Sequence, residues 1–141
     1  MTIVFFLTPK KEVIYGKLTS TVRQILEKMK YHNCIQIPIL DNHGIYVGTV
    51  TKDDLVRKIK NSPEVEFKDF NKVGILDIVR QMVIRPVHID CKVEDLPNDM
   101  INQGFTPVVD DNNIFIGIIK KSDLINSDKY ASMNNMRVRC M

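Results

Sequence analysis

Two short polar segments stand where the sequence changes from a strand pattern to a helix pattern. The first carries Thr51, Lys52 and Asp54, and the second, residues 120–123, reads Lys-Lys-Ser-Asp. A threonine three residues before an aspartate has the spacing of a capping box, whose side chains accept hydrogen bonds from the first N–H groups of a helix. In the second segment Lys120 replaces the threonine, and Ser122 could cap the helix. The two lysines could bind a phosphate near the helix N-terminus, or they could simply face solvent.

Both segments end a longer stretch that occurs twice in the chain. Residues 37–55 read IPILDNHGIYVGTVTKDDL, and residues 106–124 read TPVVDDNNIFIGIIKKSDL. The copies align without a gap at a constant offset of 69 residues, which carries Pro38 to Pro107 and Asp54 to Asp123. Repetition at a fixed spacing indicates one supersecondary unit used twice, and each copy is too small to bury its own apolar face.

Each copy of this stretch predicts a β-hairpin followed by a helix. In the first copy residues 35–40 and 45–51 have strand character, and residues 41–44 have the composition of a tight turn. Apolar residues at positions 55, 56 and 59 then share one face of a helix over residues 53–60. Because proline lacks the N–H for a ladder bond, Pro38 and Pro107 predict strands at sheet edges, which either border a ligand cleft or only resist aggregation.

The residues before the first hairpin complete a strand-helix-strand-strand-helix unit. Residues 12–15 (EVIY) predict a strand. Thr19 and Ser20 supply the chemistry of a helix N-cap, and apolar residues at positions 22, 25, 26 and 29 predict an amphipathic helix that ends near Tyr31. The apolar run at residues 3–7 is cut off by Pro9 and two lysines, so we expect it to cover the core rather than to serve as a signal peptide.

The second copy repeats this order with a shorter approach to its hairpin. Residues 74–82 predict an additional helix, residues 87–89 a strand equivalent to 13–15, and residues 93–102 a helix that Pro97 shortens or distorts. From the opening strand to the shared proline the second copy has 20 residues against 25. The predicted organisation is a first repeat with the apolar N-terminal segment at 1–60, a linker at 61–72, a second repeat at 73–126 and a tail at 127–141.

Length and composition narrow the class of protein. With 141 residues, 44% of them apolar, the chain suits one compact domain or two closely packed halves. The net charge of +3, scattered among 17 acidic residues, does not require nucleic acid but leaves anionic ligands open. Three cysteines without a C-x-x-C pair disfavour disulfides and a zinc site and indicate a reducing cytoplasm. No run approaches the roughly 20 apolar residues of a transmembrane helix.

The sequence lacks the usual signatures of catalysis and of metal binding. His32, His43 and His88 are not at metal-ligand spacing, and His32 with Cys34 makes a poor pair of base and nucleophile. Residues 41–44 and 110–113 resemble fragments of a calcium loop but lack its glycine and closing glutamate, so they predict ordinary turns. There is no Walker P-loop and no G-x-G-x-x-G. We therefore expect no enzymatic activity, no metal and no cofactor.

The repeated pattern resembles a tandem pair of cystathionine-β-synthase (CBS) domains, also called a Bateman module. The resemblance rests on the hydrophobic-Pro-hydrophobic-hydrophobic-Asp strand, the turn, and the G-x-x-T-x-x-D-L segment with its second copy, and it extends over residues 9–125. It implies an α/β (α+β) fold of two βαββα repeats related by a pseudo-twofold axis. It also implies clefts between the repeats that bind adenosine-containing ligands, and a homodimer shaped as a flat disc.

The resemblance also implies which residues form two clefts, each joining strands of one repeat to the T-x-x-D segment of the other. One cleft would use Ile14, Cys34, Ile35, Gln36 and Pro38 with Lys120, Lys121, Ser122 and Asp123. The other would use His88, Phe105, Thr106 and Pro107 with Thr51, Lys52 and Asp54. In the family the aspartate accepts both ribose hydroxyls with help from the threonine, a pattern from which Lys120 departs. Phe105 could stack on a purine, although core packing explains Phe105, Ile35 and Ile14 equally well.

These implications predict a non-enzymatic regulatory protein. It would bind AMP, ADP, ATP or cyclic di-AMP, act as a cytoplasmic homodimer away from membranes, and signal to a partner protein that the sequence does not identify. The segments FFLTP-K-x-E-V and INQGFTPVVDD make it similar to small two-repeat proteins of low-GC Gram-positive bacteria, some of which bind cyclic di-AMP. S-adenosylmethionine also stays open. The alternative is a ligand-free interaction module that binds protein or nucleic acid through its surface and tail.

Overall fold

The structure, a computed structural model, describes residues 1–66, 69, 74–75, 78, 85–96 and 104–125. The chain divides into two compact units, and each has its own sheet and hydrophobic core. The first-repeat unit comprises Ile14–Ile84, and the second-repeat unit joins Met1–Val13 to Arg85–Met141. The sequence analysis places the N-terminal segment with the first repeat, whereas the structure packs it with the second.

The mixed α/β fold class is confirmed, and both hairpins with the helices that follow them are present as predicted, whereas strand β1 was not predicted. In chain order they are β1 (Leu7–Pro9), β2 (Gly16–Lys17), α1 (Val22–His32), β3 (Gln36–Leu40), β4 (Tyr46–Thr51), α2 (Lys52–Lys60), β5 (Val87–His88), β6 (Phe105–Val109), β7 (Phe115–Lys120) and α3 (Lys121–Ile125). Short 3-10 helices lie at Ile3–Phe6, Lys10–Glu12 and Val93–Asp95.

The first-repeat unit contains a three-stranded sheet in the order β2-β3-β4, in which β2 is parallel and β4 antiparallel to β3. Helix α1 is capped by Thr21, whose Oγ1 accepts a hydrogen bond from the backbone N of Gln24 at 3.2 Å. Oε1 of Gln24 in turn accepts one from the backbone N of Thr21 at 2.9 Å. The capping residue is therefore not Thr19 or Ser20, as predicted, because the helix begins only at Val22.

The core of the first-repeat unit joins α1 to the sheet. Its buried members are Val22, Ile25, Met29, Ile37, Ile39, Val50, Leu55, Ile75 and Ile78. Three of the four helix positions predicted from the period are at most 2% exposed, so the periodicity identified the buried face. Gly16 in β2 leaves room for this packing, because a Cβ there would lie 2.5 Å from Cδ1 of Ile25 and 2.9 Å from Cδ1 of Ile39 and these side-chain ends would have to shift.

The second-repeat unit contains a four-stranded sheet in the order β1-β7-β6-β5. Strand β5 is parallel to β6, whereas β6 and β1 are antiparallel to β7. Ile3 is fully buried in this unit's core, and Phe6 and Leu7 pack against that core. The prediction that the N-terminal apolar run covers the core is confirmed, and the core that it covers is the second repeat's.

Both hairpins turn through an aspartate that accepts backbone hydrogen bonds. Oδ1 of Asp41 accepts from the N–H groups of His43 and Ile45, at 2.8 and 3.0 Å. Oδ1 of Asp110 accepts from those of Asn112 and Ile114 at the same two distances. The bond from Ile45 is the main cause that lowers the pKa of Asp41. The predicted ordinary turns are confirmed.

The opening strand of the first repeat differs from its prediction. Residues 10–12 form a 3-10 helix, and the strand is Gly16–Lys17, four residues later than the predicted start at Glu12. Gly16 pairs with Ile39, and Val87 pairs with Val108 at the equivalent place. The approaches to the shared prolines therefore span 22 and 20 residues, so the second copy is shorter by two residues rather than five. The prediction failed because the chain changes from one unit to the other between Val13 and Ile14.

The two prolines lie in central strands, so the prediction of edge strands is wrong. Pro38 in β3 pairs with Thr49, and Pro107 in β6 pairs with Ile118. The partner strands on the other side are only two residues long, and their registers begin opposite Ile39 and Val108, one residue after each proline. Each proline is therefore tolerated, because at its position the strand is not paired with the short strand on that side.

Several predicted elements lie wholly or mostly outside the described residues. They are the linker after residue 66, the helix at 74–82, the second half of the helix at 93–102, and the tail at 127–141. Of the predicted helix at 93–102, the structure describes the 3-10 helix Val93–Asp95.

Candidate functional site

The strand-helix boundary of the first repeat holds the predicted pair Thr51 and Asp54 in a capping box. Oγ1 of Thr51 accepts a hydrogen bond from the backbone N of Asp54 at 3.1 Å, and Oδ2 of Asp54 accepts from the backbone N of Thr51 at 3.0 Å. Oδ1 of Asp54 lies 3.6 Å from Nη1 of Arg57. One carboxylate oxygen therefore serves the fold, while the other makes this long ion pair.

The same boundary in the second repeat is built without that box. Helix α3 begins at Lys121, so Ser122 lies inside its first turn and is exposed rather than placed as the cap. Lys120 occupies the position that Thr51 has in the first repeat. Asp123 is exposed, whereas the side chain of Asp54 is only 15% exposed. The two aspartates are equivalent in sequence but differ in burial.

A backbone hydrogen bond joins the start of the middle strand to the start of the helix in both repeats. The N–H of Lys52 donates to the carbonyl of Ile35 at 2.7 Å, and the N–H of Lys121 donates to the carbonyl of Gly104 at 2.9 Å. Within each unit this bond brings together residues that the resemblance assigned to different clefts. In the first unit these residues are Cys34, Ile35, Gln36, Thr51 and Lys52, and in the second they are Phe105, Thr106, Lys120 and Lys121.

A cavity of about 450 Å³ opens beside this bond in the first-repeat unit. Its lining residues are Leu26, Met29, Lys30, Asn33, Cys34, Ile35 and Lys52. Three of them, Cys34, Ile35 and Lys52, are predicted site residues. The other four come from the last turns of α1 and its left-handed cap, Asn33 at φ 54°. The asparagine at the helix end is the sequence signal that could have added this helix end to the site.

For Ile35, Ile14 and Phe105 the sequence left open whether they line the site or pack in the core. Their burial distinguishes the two interpretations. Ile35 is 71% exposed at the cavity, so its side chain does not serve the core. Ile14 packs partly buried against the first core, and Phe105 is only 9% exposed. Core packing therefore accounts for Ile14 and Phe105 as they stand in the structure.

The structure separates His88 from Phe105. His88 pairs with Val109 at the hairpin end of β6, whereas Phe105 begins that strand and pairs with Lys120. Since β5 and β6 are parallel, the residues before Val87 lie toward the beginning of β6. By this register Arg85, two residues before Val87, lies toward Thr106, two residues before Val108. Sequence reasoning missed Arg85 because it aligned residues 13–15 with 87–89.

His88 instead belongs to the cluster that could hold a metal ion among the described residues. One ligand atom from each of His88, Asp90 and Asp111 lies within 4.8 Å of the others. However, Nδ1 of His88 accepts a hydrogen bond from the backbone N of Asp90 at 3.0 Å, and Nε2 contacts Oδ1 of Asp111. The lone pair of Nδ1 is therefore occupied, and the ring proton lies on Nε2, where Asp111 accepts it. A metal ion would need a free lone pair on one of these two nitrogens. The cluster therefore consists of hydrogen bonds that hold the hairpin turn against the end of β5.

The two described cysteines, Cys34 and Cys91, are free thiols and partly buried. Burial is the main cause that raises the pKa of both thiols, and the carboxylates of Asp95 and Glu94 add to it at Cys91. A raised pKa lowers the thiolate fraction at neutral pH, which makes neither group a ready nucleophile.

The sequence model of the CBS domain matches this chain twice, at residues 7–61 and 75–129. The chain belongs to the CBS-domain family, and its two repeats form a tandem module. No helix in the described part of the chain has the length and apolar character needed to cross a membrane.

Two archaeal proteins are similar to this chain in sequence. Uncharacterized protein MK0525 of Methanopyrus kandleri is 31% identical over 123 residues, which cover 86% of this chain and 60% of that protein. Uncharacterized protein MJ0188 of Methanocaldococcus jannaschii is 29% identical over 119 residues, which cover 83% and 41%. The chain therefore spans only about half the length of these relatives.

Solved structures share the fold at low sequence identity. The Listeria monocytogenes CbpB protein in complex with c-di-AMP superposes with a TM-score of 0.75 at 16% identity, over 99% of this chain and 98% of that one. CBSX2 in complex with AMP superposes with a TM-score of 0.70 at 21% identity, over 96% and 98%. At these identities the likeness concerns the fold.

Proposed function

We propose that this protein is a non-enzymatic regulatory CBS pair that binds an adenosine-containing ligand, such as AMP, ADP, ATP or cyclic di-AMP. The ligand would contact the sheet ends where the middle strand begins and the helix after the hairpin starts. The proposal includes a cytoplasmic homodimer that passes its state of occupancy to a partner protein. Such signalling requires that the ligand bind two states of the dimer with different affinity.

The cavity of the first-repeat unit is the observation that carries this proposal. Its volume of about 450 Å³ lies within the range of about 300–1,000 Å³ common for small-molecule sites. Apolar Leu26, Met29 and Ile35 would face a planar base, and the ammonium groups of Lys30 and Lys52 favour an anionic ligand. Two fold neighbours carry adenine nucleotides, c-di-AMP in CbpB and AMP in CBSX2, which supports this class of ligand.

Calorimetric titration of the intact protein with AMP and with cyclic di-AMP tests the proposal through one substitution at the cavity. Ile35→Glu places a carboxylate among the lining residues, and because Ile35 is mostly exposed the core stays intact. We expect binding of either nucleotide to weaken at least about tenfold, since like charges brought together cost several kcal/mol.

Tyr31→Glu is the matched control, because Tyr31 is 85% exposed in the same unit and does not line the cavity. It should bind as the wild type does. Native mass spectrometry of the same preparations identifies any co-purified adenine compound and the oligomeric state. A wild-type protein that binds no adenine compound, or an Ile35→Glu variant with unchanged affinity, would contradict the proposal.

A further inference from the structure

The two repeats carry different charges at equivalent positions of their sheets. The pairing of Gly16 with Ile39 and of Val87 with Val108 makes Ile14 and Arg85 equivalent. The offset of the hairpins makes Thr51 equivalent to Lys120, and Lys52 to Lys121. The first-repeat unit thus has one cation at these three positions, whereas the second-repeat unit has three: Arg85, Lys120 and Lys121.

The three cations of the second-repeat unit lie at the same end of its sheet. Strand β7 ends with Lys120 beside Phe105, at the beginning of β6, and Lys121 follows with its N–H bonded to the carbonyl of Gly104. Arg85 lies two residues before β5, which runs parallel to β6 on its other flank. Because adjacent strands are about 4.8 Å apart, β5 and β7 run about 10 Å apart on the two flanks of β6. Arg85 precedes one of these flanking strands, and the lysines stand at the end of the other.

These side chains are available for a ligand. Arg85 and Lys120 are exposed and Lys121 is half-exposed. Among the described residues, none of the three side chains has a hydrogen-bond or ion-pair partner. The nearest acid of the same segment is the exposed Asp123, so the positive charge at this end exceeds the negative. An arginine presents a planar fork of donors that matches the oxygens of a phosphate.

We propose that Arg85, Lys120 and Lys121 form a phosphate-binding site at this end of the second-repeat unit, and that Arg85 makes the protein select phosphorylated adenosine ligands over adenosine itself. This inference rests on the proposed function and deepens it. It disfavours S-adenosylmethionine, which lacks a phosphate, and it adds to Lys120 and Lys121 an arginine that the sequence analysis did not name.

Titrations with AMP and with adenosine, fitted for each binding site, test the role of Arg85. Arg85→Gln removes the charge and the donor fork at an exposed position. We expect AMP to bind about 10- to 100-fold more weakly at one site, as expected for a lost hydrogen bond to a charged group, while adenosine binding is unchanged. Arg85→Lys keeps the charge without the donor fork. Its AMP affinity should therefore lie between those of the wild type and Arg85→Gln.

Lys92→Gln is the matched control, because it removes one exposed cation from the same unit, beyond the opposite end of β5. It should leave both ligands unaffected. Unchanged AMP affinity in Arg85→Gln, or equal losses for AMP and adenosine, would overturn the inference while the proposed function stands. A wild-type protein that binds neither AMP nor adenosine would instead overturn the proposed function, and the inference with it.

Discussion

Asp54 has a structural role in the capping box, and we propose that it also binds the ligand. Its Oδ2 closes the capping box with Thr51, and its Oδ1 lies 3.6 Å from Nη1 of Arg57. At the equivalent position Asp123 is exposed and lies in the first turn of a helix that Lys120 precedes. The two aspartates therefore differ in what they contribute to stability, even though the repeat pattern gives them the same place.

Alanine substitutions separate these duties. Asp54→Ala removes half of a capping box, so we expect the free energy of unfolding to fall by about 1 kcal/mol. Asp123→Ala changes an exposed residue and should stay within about 0.5 kcal/mol of the wild type. Both variants should bind AMP more weakly, because each carboxylate is a predicted acceptor for ribose hydroxyls. Urea unfolding and calorimetry measure the two effects independently.

The exposed neighbour Asp53 provides the control for charge, since Asp53→Ala removes a carboxylate from the same turn without touching the box. Its AMP affinity should match the wild type. An Asp54→Ala variant that unfolds more easily but binds AMP normally would leave Asp54 with the capping role alone.

At the residue scale the sequence identified the cap of α2, but it misplaced the cap of α1, which is Thr21 rather than Thr19 or Ser20. The T-x-x-D spacing led directly to the box at Thr51 and Asp54, because a cap is a local interaction. The prediction that His88 lies beside Phe105 failed because β2 and β5 have two residues each. Such short strands have almost no sequence pattern from which their position could be predicted. Their positions are set by pairing with β3 and β6, which only the folded chain reveals.

Among the elements, β1 depends most on a single residue of another strand. It pairs with β7 through Leu7, Thr8 and Pro9, opposite Ile119, Ile118 and Gly117. A Cβ at Gly117 would lie 2.2 Å from the carbonyl oxygen of Thr8. This neighbour is backbone, so it cannot turn away as the end of a side chain can.

Gly117→Ala should therefore separate β1 from β7. We expect a loss of about 1–3 kcal/mol in the free energy of unfolding, as for overpacked sites, and faster hydrogen exchange at Leu7 and Thr8. Gly74→Ala is the control, because nothing lies within 4 Å of a Cβ there, and it should be neutral within about 0.5 kcal/mol. Equal stability of the two variants would show that β1 does not pack on β7 as described.

The elements that the sequence predicted best are those with strong local signals. The amphipathic period identified α1, and the turns at Asp41 and Asp110 identified both hairpins. The predicted strand at residues 12–15 had suitable residue types, but a 3-10 helix ends at Glu12, and residues 1–13 pack with the other repeat. Local patterns carry no information about such a long-range choice of partner.

At the scale of the whole molecule, duplication explains both the likeness and the difference of the two units. Each has the same hairpin, the same strand-helix boundary and the same bond from the helix start to the middle strand. The second unit gains β1 from the N-terminal segment and three cations at its sheet end, whereas the first unit has the cavity and the capping box. The two copies of the duplicated unit thus have sheet ends that differ in charge, and we propose that both bind the ligand.

The central claim is that an adenine nucleotide contacts the sheet end beside the first-repeat cavity. A ¹⁵N–¹H NMR titration of the intact protein with AMP tests it most directly, because each backbone amide reports separately. We predict that the amides of Cys34, Ile35 and Lys52 shift in a saturable manner, while that of Lys17, at the far end of the same sheet, does not. Saturating AMP that leaves the first three amides unmoved would contradict the account.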